Sequence, residues 1–225
     1  MALRGVILDV DGTLVDSNDA HASAWVDAFE EFGYTTDFEK VRRCIGMGSD
    51  KLIPEIIGID KDDPKVKTIS KRRTEIFKHR YLPSLKPFDR VRQMVEKMQQ
   101  SGLKVVVASS AKKDELKPLL EVAGITDLIE EKTSSDDAKN SKPDPDIVIA
   151  AVKESGFKPH ELVMLGDTPY DIEAARKAGV PVIAVRCGGW YDYELKGALA
   201  IYDDPADLLA NYEKSPLAQP IKQGT

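Results

Sequence analysis

Buried strands alternating with amphipathic helices predict an α/β fold: a doubly wound parallel sheet with an α-helical cap inserted after its first strand. Four runs, Arg4–Leu8, Leu103–Ala108, Leu162–Leu165 and Val182–Val185, lack the polar alternation of a half-exposed strand, so each reads as a strand covered on both faces. Apolar stripes at helical spacing lie between them. The stretch from Asn18 to Leu85 carries no strand signal and is helical in pattern throughout.

The elements follow in order. Behind the first strand the insertion shows one apolar stripe at Trp25, Phe29 and Phe32 and a later one at Ile69, Ile76 and Phe77. Pro83 and Pro87 bracket its return to the sheet. Val91, Met94, Val95 and Met98 mark a helix before the second strand. Leu116, Leu119, Leu120 and Val122 mark the next, which Pro118 is expected to kink or shorten. Ile147, Val148, Ala151 and Val152 precede the third strand, Gly179 closes the helix after it, and a short fifth strand is expected at Ala198–Tyr202. The chain thus divides into a core of residues 1–16 and 86–213, a cap of residues 17–85 and a loose tail of residues 214–225.

The 225 residues are 42% hydrophobic and 31% charged, ordinary for a soluble globular protein. A net charge of −6 without a lysine–arginine run argues against a nucleic-acid partner. No apolar stretch approaches the ~20 residues that span a bilayer. Met1-Ala2-Leu3-Arg4 enters the first strand directly, with no signal-peptide pattern. Cys44 and Cys187 have no partner motif and read as buried small hydrophobes of a reducing, cytoplasmic compartment. His21, His79 and His160 show no ligand spacing, and no role is assigned to them.

Four places carry chemistry. The first strand delivers Asp9 and Asp11, which share one side of an extended segment, into a turn at Gly12. The second strand ends in Ser109 and Ser110 near a helix start, where a hydroxyl and free backbone N–H groups suit a phosphoryl oxygen. In Ser141-Lys142-Pro143-Asp144-Pro145 a proline fixes the backbone behind Lys142, and Asp144 is placed to cap the next helix. The third strand ends in Gly166-Asp167, with Asp171 at the start of the following helix. Asp9, Asp11, Asp167 and Asp171 therefore gather up to four negative charges at one sheet edge against Lys142. Each carboxylate pair at ~4 Å repels by roughly 4 kcal/mol at an effective dielectric of 20. A divalent cation resolves the conflict, and a ligand set of oxygens alone points to Mg²⁺.

With these four pieces in order, the chain resembles the haloacid dehalogenase superfamily over essentially its whole length, and within it the phosphatase-type members with a helical cap (the phosphoglycolate phosphatase and beta-phosphoglucomutase type). The resemblance implies that Asp9 is the nucleophile and Asp11 the acid and base. It implies Mg²⁺ on a carboxylate oxygen of Asp9, the main-chain carbonyl of Asp11 and Asp167, with Asp171 supporting the metal waters or Lys142. Ser109 and Lys142 then hold the phosphoryl oxygens, with the N–H groups after Asp9 and Ser109. Gly12 and Ser110 complete the phosphate end, while Arg42, Arg43 and Lys51 are candidates for contact with the leaving group. The loop Gly46–Lys51 has two glycines for a tight turn, Ser49 or Asp50 can cap the next helix, and in similar proteins this loop dips into the site.

The expectation is a Mg²⁺-dependent phosphatase of a small phosphorylated metabolite, monomeric or a weak homodimer. Three alternatives stand beside it. A phosphomutase typically carries Glu-Asp where this chain has Gly166-Asp167. A phosphonate hydrolase uses a cap lysine, for which Lys51 is placed, but usually an arginine at Lys142. A non-catalytic phosphate sensor of receiver type would be about half as long and would lack both the cap and Asp11.

Overall fold

The computed structural model describes residues 3–129 and 131–218. Its sheet is built from β1 (Gly5–Leu8), β2 (Lys104–Ala108), β3 (Glu131–Thr133), β4 (Leu162–Gly166), β5 (Val182–Val185) and β6 (Ala200–Tyr202). All neighbours pair in parallel in the order β3-β2-β1-β4-β5-β6. The winding reverses at β1, so the crevice beyond its carboxyl end is the place where such sheets bind ligands.

The strands are apolar on both faces because both are covered. Val6, Leu8, Val105 and Val107 pack into one core layer, Ile7, Val106 and Met164 into the other. Residues of α5 (Val91–Gln100), α6 (Lys113–Val122) and α9 (Pro205–Ala210) fill the first layer; those of α7 (Asp146–Ser155) and α8 (Pro169–Ala178) fill the second. The insertion forms α1 (Asn18–Glu31), α2 (Phe38–Arg43), α3 (Ser49–Ile57) and α4 (Pro64–Ile76), followed by a π-helical turn at Phe77–Tyr81. Trp25, Phe29, Ile69 and Phe77 from these helices join the first layer, so the insertion and the sheet share one continuous apolar cluster. The chain leaves and returns side by side: Val15 pairs with Pro87, and Asp16 N–H donates to the Lys86 carbonyl at 3.0 Å.

Four expectations change. The strand β3 was not foreseen, because Glu131-Lys132-Thr133 holds no apolar run; as a short edge strand it needs none. Helix α6 runs on for four residues past Pro118, so the proline does not shorten it to that point. Phe32 leaves the Trp25 stripe, for α1 has ended and the ring is 37% exposed. The tail does not begin at residue 214: Ser215 and Leu217 are buried, while residues 219–225 lie outside the described residues.

Candidate active site

Asp9 follows β1 directly and is tied to the next strand, its N–H donating to the Leu165 carbonyl at 2.9 Å. Its carboxylate is buried and meets Lys142 Nζ at 2.6 Å. The same ammonium meets Asp171 Oδ1 at 2.7 Å. Asp167, at the end of β4, is held on both oxygens: Thr13 Oγ1 donates to Oδ1 at 3.0 Å and Asn18 Nδ2 to Oδ2 at 2.9 Å. Asp171 is placed by a capping box, its Oδ2 accepting the Thr168 N–H at 3.0 Å and the Thr168 hydroxyl at 2.7 Å. One oxygen each from Asp9, Asp167 and Asp171 lies within 4.8 Å of the others.

Three buried carboxylates thus face one ammonium. Burial pushes the Asp9 carboxyl well above the usual range, and Asp171 and Asp167 add to the rise against the pull of Lys142. Burial, helped by Asp171, pushes Asp167 up to about 7 despite the hydrogen bonds from Asn18 and Thr13. Burial alone would lower Lys142; Asp171 and Asp9 outweigh it and hold the ammonium charged. The surplus negative charge, on hard oxygen donors alone, is what a small divalent cation neutralises. The residues fit one.

Glycines keep this corner open. A Cβ on Gly12, whose φ is +73°, would fall 2.1 Å from Asn18 Nδ2 and 2.3 Å from Asp167 Oδ2. A Cβ on Gly166 would fall 2.7 Å from Asp171 Cγ, so the acid expected of a mutase at this position has no room unless Asp171 moves. At Gly188 the clash is worst, 1.8 Å from Asp167 Oδ2. Gly188→Ala is therefore expected to weaken Mg²⁺ affinity at least about tenfold by displacing Asp167, as read by calorimetric titration. Unchanged affinity would remove Asp167 from the metal set.

Asp11 does not join the carboxylate cluster. Its Oδ1 accepts from the Ser17 hydroxyl at 2.5 Å and lies 2.8 Å from His21 Nε2. Burial raises this carboxyl, but His21, Ser17 and Arg73 together outweigh it and hold it below the usual range. Ligand spacing does not single out His21; its signal is position, one helical turn beyond Ser17, the N-cap of α1. Its ring stacks on Phe77 at 3.9 Å, which fixes its plane.

A cavity of about 300 Å³ opens beside Asp9, Asp11 and Lys142. The loop of residues 45–50 forms one wall and is tied to the core twice: Ser110 Oγ donates to the Gly46 carbonyl at 3.1 Å, and Ser141 Oγ donates to Asp50 Oδ1 at 2.5 Å. Helix α3 is capped by the backbone of Gly48, not by Ser49 or Asp50. Ser109 is buried and does not line the cavity; its Oγ accepts the Ala111 N–H at 3.0 Å.

The other candidates fall elsewhere. Gly12 donates its N–H to the Val15 carbonyl at 2.9 Å and serves close packing, not the cavity wall. Lys51 turns out of the cavity to Asp144 Oδ2 at 2.5 Å, which also takes Asp144 away from its expected capping role. Arg42 reaches Asp19 at 2.5 Å and the Gly188 carbonyl at 2.7 Å. Arg43 reaches Glu194 at 3.0 Å and covers the Trp190 ring at 4.4 Å. Each of the three cations has found an acid that sequence spacing could not place beside it, and none lines the cavity. Among the residues passed over, Arg73 and Glu115 do line it.

The family model for haloacid dehalogenase-like hydrolases matches residues 6–185. A phosphoglycolate phosphatase from Yersinia pestis is 29% identical over 216 residues, covering 94% of this chain and 90% of the relative. The crystal structure of a hydrolase from Pseudomonas syringae superimposes with a TM-score of 0.87 at 27% identity, covering 94% of this chain and 98% of that one. A beta-phosphoglucomutase from Clostridium difficile shares the fold at 19% identity, with a TM-score of 0.80 and coverage of 96% and 97%. Among the described residues no helix is long and apolar enough to cross a membrane. The chain belongs to the haloacid dehalogenase-like hydrolase family, as an enzyme of its phosphoric monoester hydrolase type.

Proposed function

We propose that this enzyme hydrolyses a small phosphomonoester in the presence of Mg²⁺, with a phosphoryl group carried transiently on Asp9. The observation that carries the reading is Asp9 itself: a buried strand-end carboxylate, held by Lys142 at 2.6 Å and bordering a cavity of about 300 Å³. Asp9 attacks phosphorus and the alcohol leaves; water then breaks the aspartyl phosphate and returns the carboxylate. Lys142 neutralises the phosphoryl oxygens as charge gathers on them, and the Ser109 hydroxyl donates a hydrogen bond to one of them. Asp9, Asp167 and Asp171 would hold the Mg²⁺, which would supply charge neutralisation at the phosphoryl group.

Asp11 serves proton transfer. Its Oδ1 is committed to Ser17 and His21, and the carboxyl group borders the cavity. His21, Ser17 and Arg73 hold it ionised and so lower its proton affinity; a phosphate dianion arriving beside it raises that affinity, so that Asp11 takes a proton from solvent and delivers it to the oxygen of the leaving alcohol. Residues 17–85 act as the cap over a core of residues 1–16 and 86–213, and the loop of residues 45–50 limits water around the leaving group.

Phosphate release from a panel of phosphate esters tests the reading, run with Mg²⁺ and with excess chelator. Free phosphate and an alcohol are expected with Mg²⁺, and loss of essentially all activity in chelator. Calcium is expected to inhibit, since its looser coordination misplaces the attacking carboxylate. Full activity in chelator, or conversion of a hexose 1-phosphate to its 6-phosphate isomer as the main reaction, would falsify it.

A further inference from the structure

One wall of the cavity is ionic. Glu115, in the first turn of α6, is fully buried, and its Oε2 pairs with Arg73 Nη1 of α4 at 2.8 Å. Its Oε1 accepts the Thr74 hydroxyl at 2.7 Å. Arg73 Nη1 also lies 3.4 Å from His21 Nδ1, which links this wall to Asp11. A buried ion pair is an inefficient way to fasten two helices, because apolar side chains of the same volume do as well or better. This pair, moreover, is incompletely used. Arg73 Nε is buried without an acceptor. The guanidinium lies over Trp25 at 4.9 Å, so an aromatic face fixes its plane.

We propose that Arg73 and Glu115 form the subsite for the leaving group and select neutral, hydroxyl-bearing phosphate esters (polyol or sugar phosphates) over esters that carry a carboxylate. The inference rests on the phosphatase reading and adds its substrate class. A hydroxyl can take an N–H from Arg73, the accessible member of the pair, without adding charge beside the buried Glu115 carboxylate. A carboxylate only accepts. It would bring a second negative charge against Glu115 while Arg73, the cation of this wall, is already paired. Lys51, Arg42 and Arg43, the cations otherwise placed to read an anionic substrate, are bound to Asp144, Asp19 and Glu194. Lys112, half-buried, and Lys139, exposed, also border the cavity; if either answered a carboxylate on the leaving group, the wild-type ratio measured below would fall to one or less.

Matched substrates test this in the intact enzyme with Mg²⁺. Glycerol 3-phosphate and 3-phosphoglycerate differ at one terminal carbon, a hydroxymethyl against a carboxylate; sorbitol 6-phosphate and 6-phosphogluconate differ in the same way at greater length. In both pairs kcat/KM is expected to favour the polyol at least about tenfold, the scale on which a buried polar site rejects a mismatched group. Glu115→Gln keeps the shape, removes the competing charge and frees Arg73, so the ratio should fall at least about tenfold within each pair. The ratio is internal to each preparation and does not depend on how much of the variant folds; the wild-type ratio needs no variant at all. A wild-type ratio near or below one overturns the inference, as does a ratio that Glu115→Gln leaves unmoved. Absence of phosphate release from all four esters and from p-nitrophenyl phosphate overturns the phosphatase reading and this inference with it, whereas release from p-nitrophenyl phosphate with preference for the carboxylates overturns the inference alone.

Discussion

Asp9→Asn is expected to eliminate phosphate release, by about four orders of magnitude or more, while the protein stays folded. The amide has the shape of the carboxylate but is a far poorer nucleophile toward phosphorus, and loss of a covalent catalyst costs on this scale. The fold should tolerate the change. The substitution removes one of three mutually repelling buried carboxylates, and Lys142 keeps Asp171 at 2.7 Å as its partner. Single-turnover phosphate release and the thermal midpoint in chelator separate the two effects. Normal release by Asp9→Asn would sink the mechanism; loss of fold without loss of per-molecule activity would reduce Asp9 to a structural role.

The parts of this site that were legible in the sequence are those fixed by a strand end. Asp9, Ser109 and Asp167 each follow a buried apolar run, and a parallel sheet brings the carboxyl ends of such runs to one edge by construction. The order of the strands around β1 then sets their distances. Side chains from the insertion were not legible in the same way. Lys51, Arg42 and Arg43 look available along the chain, yet each is long and flexible and is settled by an acid far away in sequence, 93 residues away for Lys51. His21 and Glu115 failed in the opposite sense. A lone histidine and a helical glutamate have strong ordinary readings, and only tertiary packing puts one against Asp11 and the other against Arg73. The strand β3 was missed because an edge strand of three residues leaves no hydrophobic pattern.

Lys142→Met carries the other large expected effect, and it is on stability as well as on turnover. Lys142 is the cation within contact of Asp9 and Asp171, at 2.6 and 2.7 Å, and all three side chains are buried. Methionine fills much the same volume without the charge. It leaves Asp9, Asp167 and Asp171 with no compensating neighbour, and breaking a buried pair in this way costs about 3–5 kcal/mol. Two events can relieve the repulsion: the carboxyls take up protons, or a divalent cation enters. Stabilisation of the variant by Mg²⁺ should therefore exceed that of wild type, and its thermal midpoint in chelator should fall far more than its midpoint at saturating Mg²⁺. Turnover should not recover with Mg²⁺, because the ammonium that binds the phosphoryl oxygens is still missing. Thermal melts with and without Mg²⁺ decide the point. A variant as stable in chelator as wild type would mean that the three carboxylates already share protons in the metal-free state and that Lys142 acts on the phosphoryl group alone.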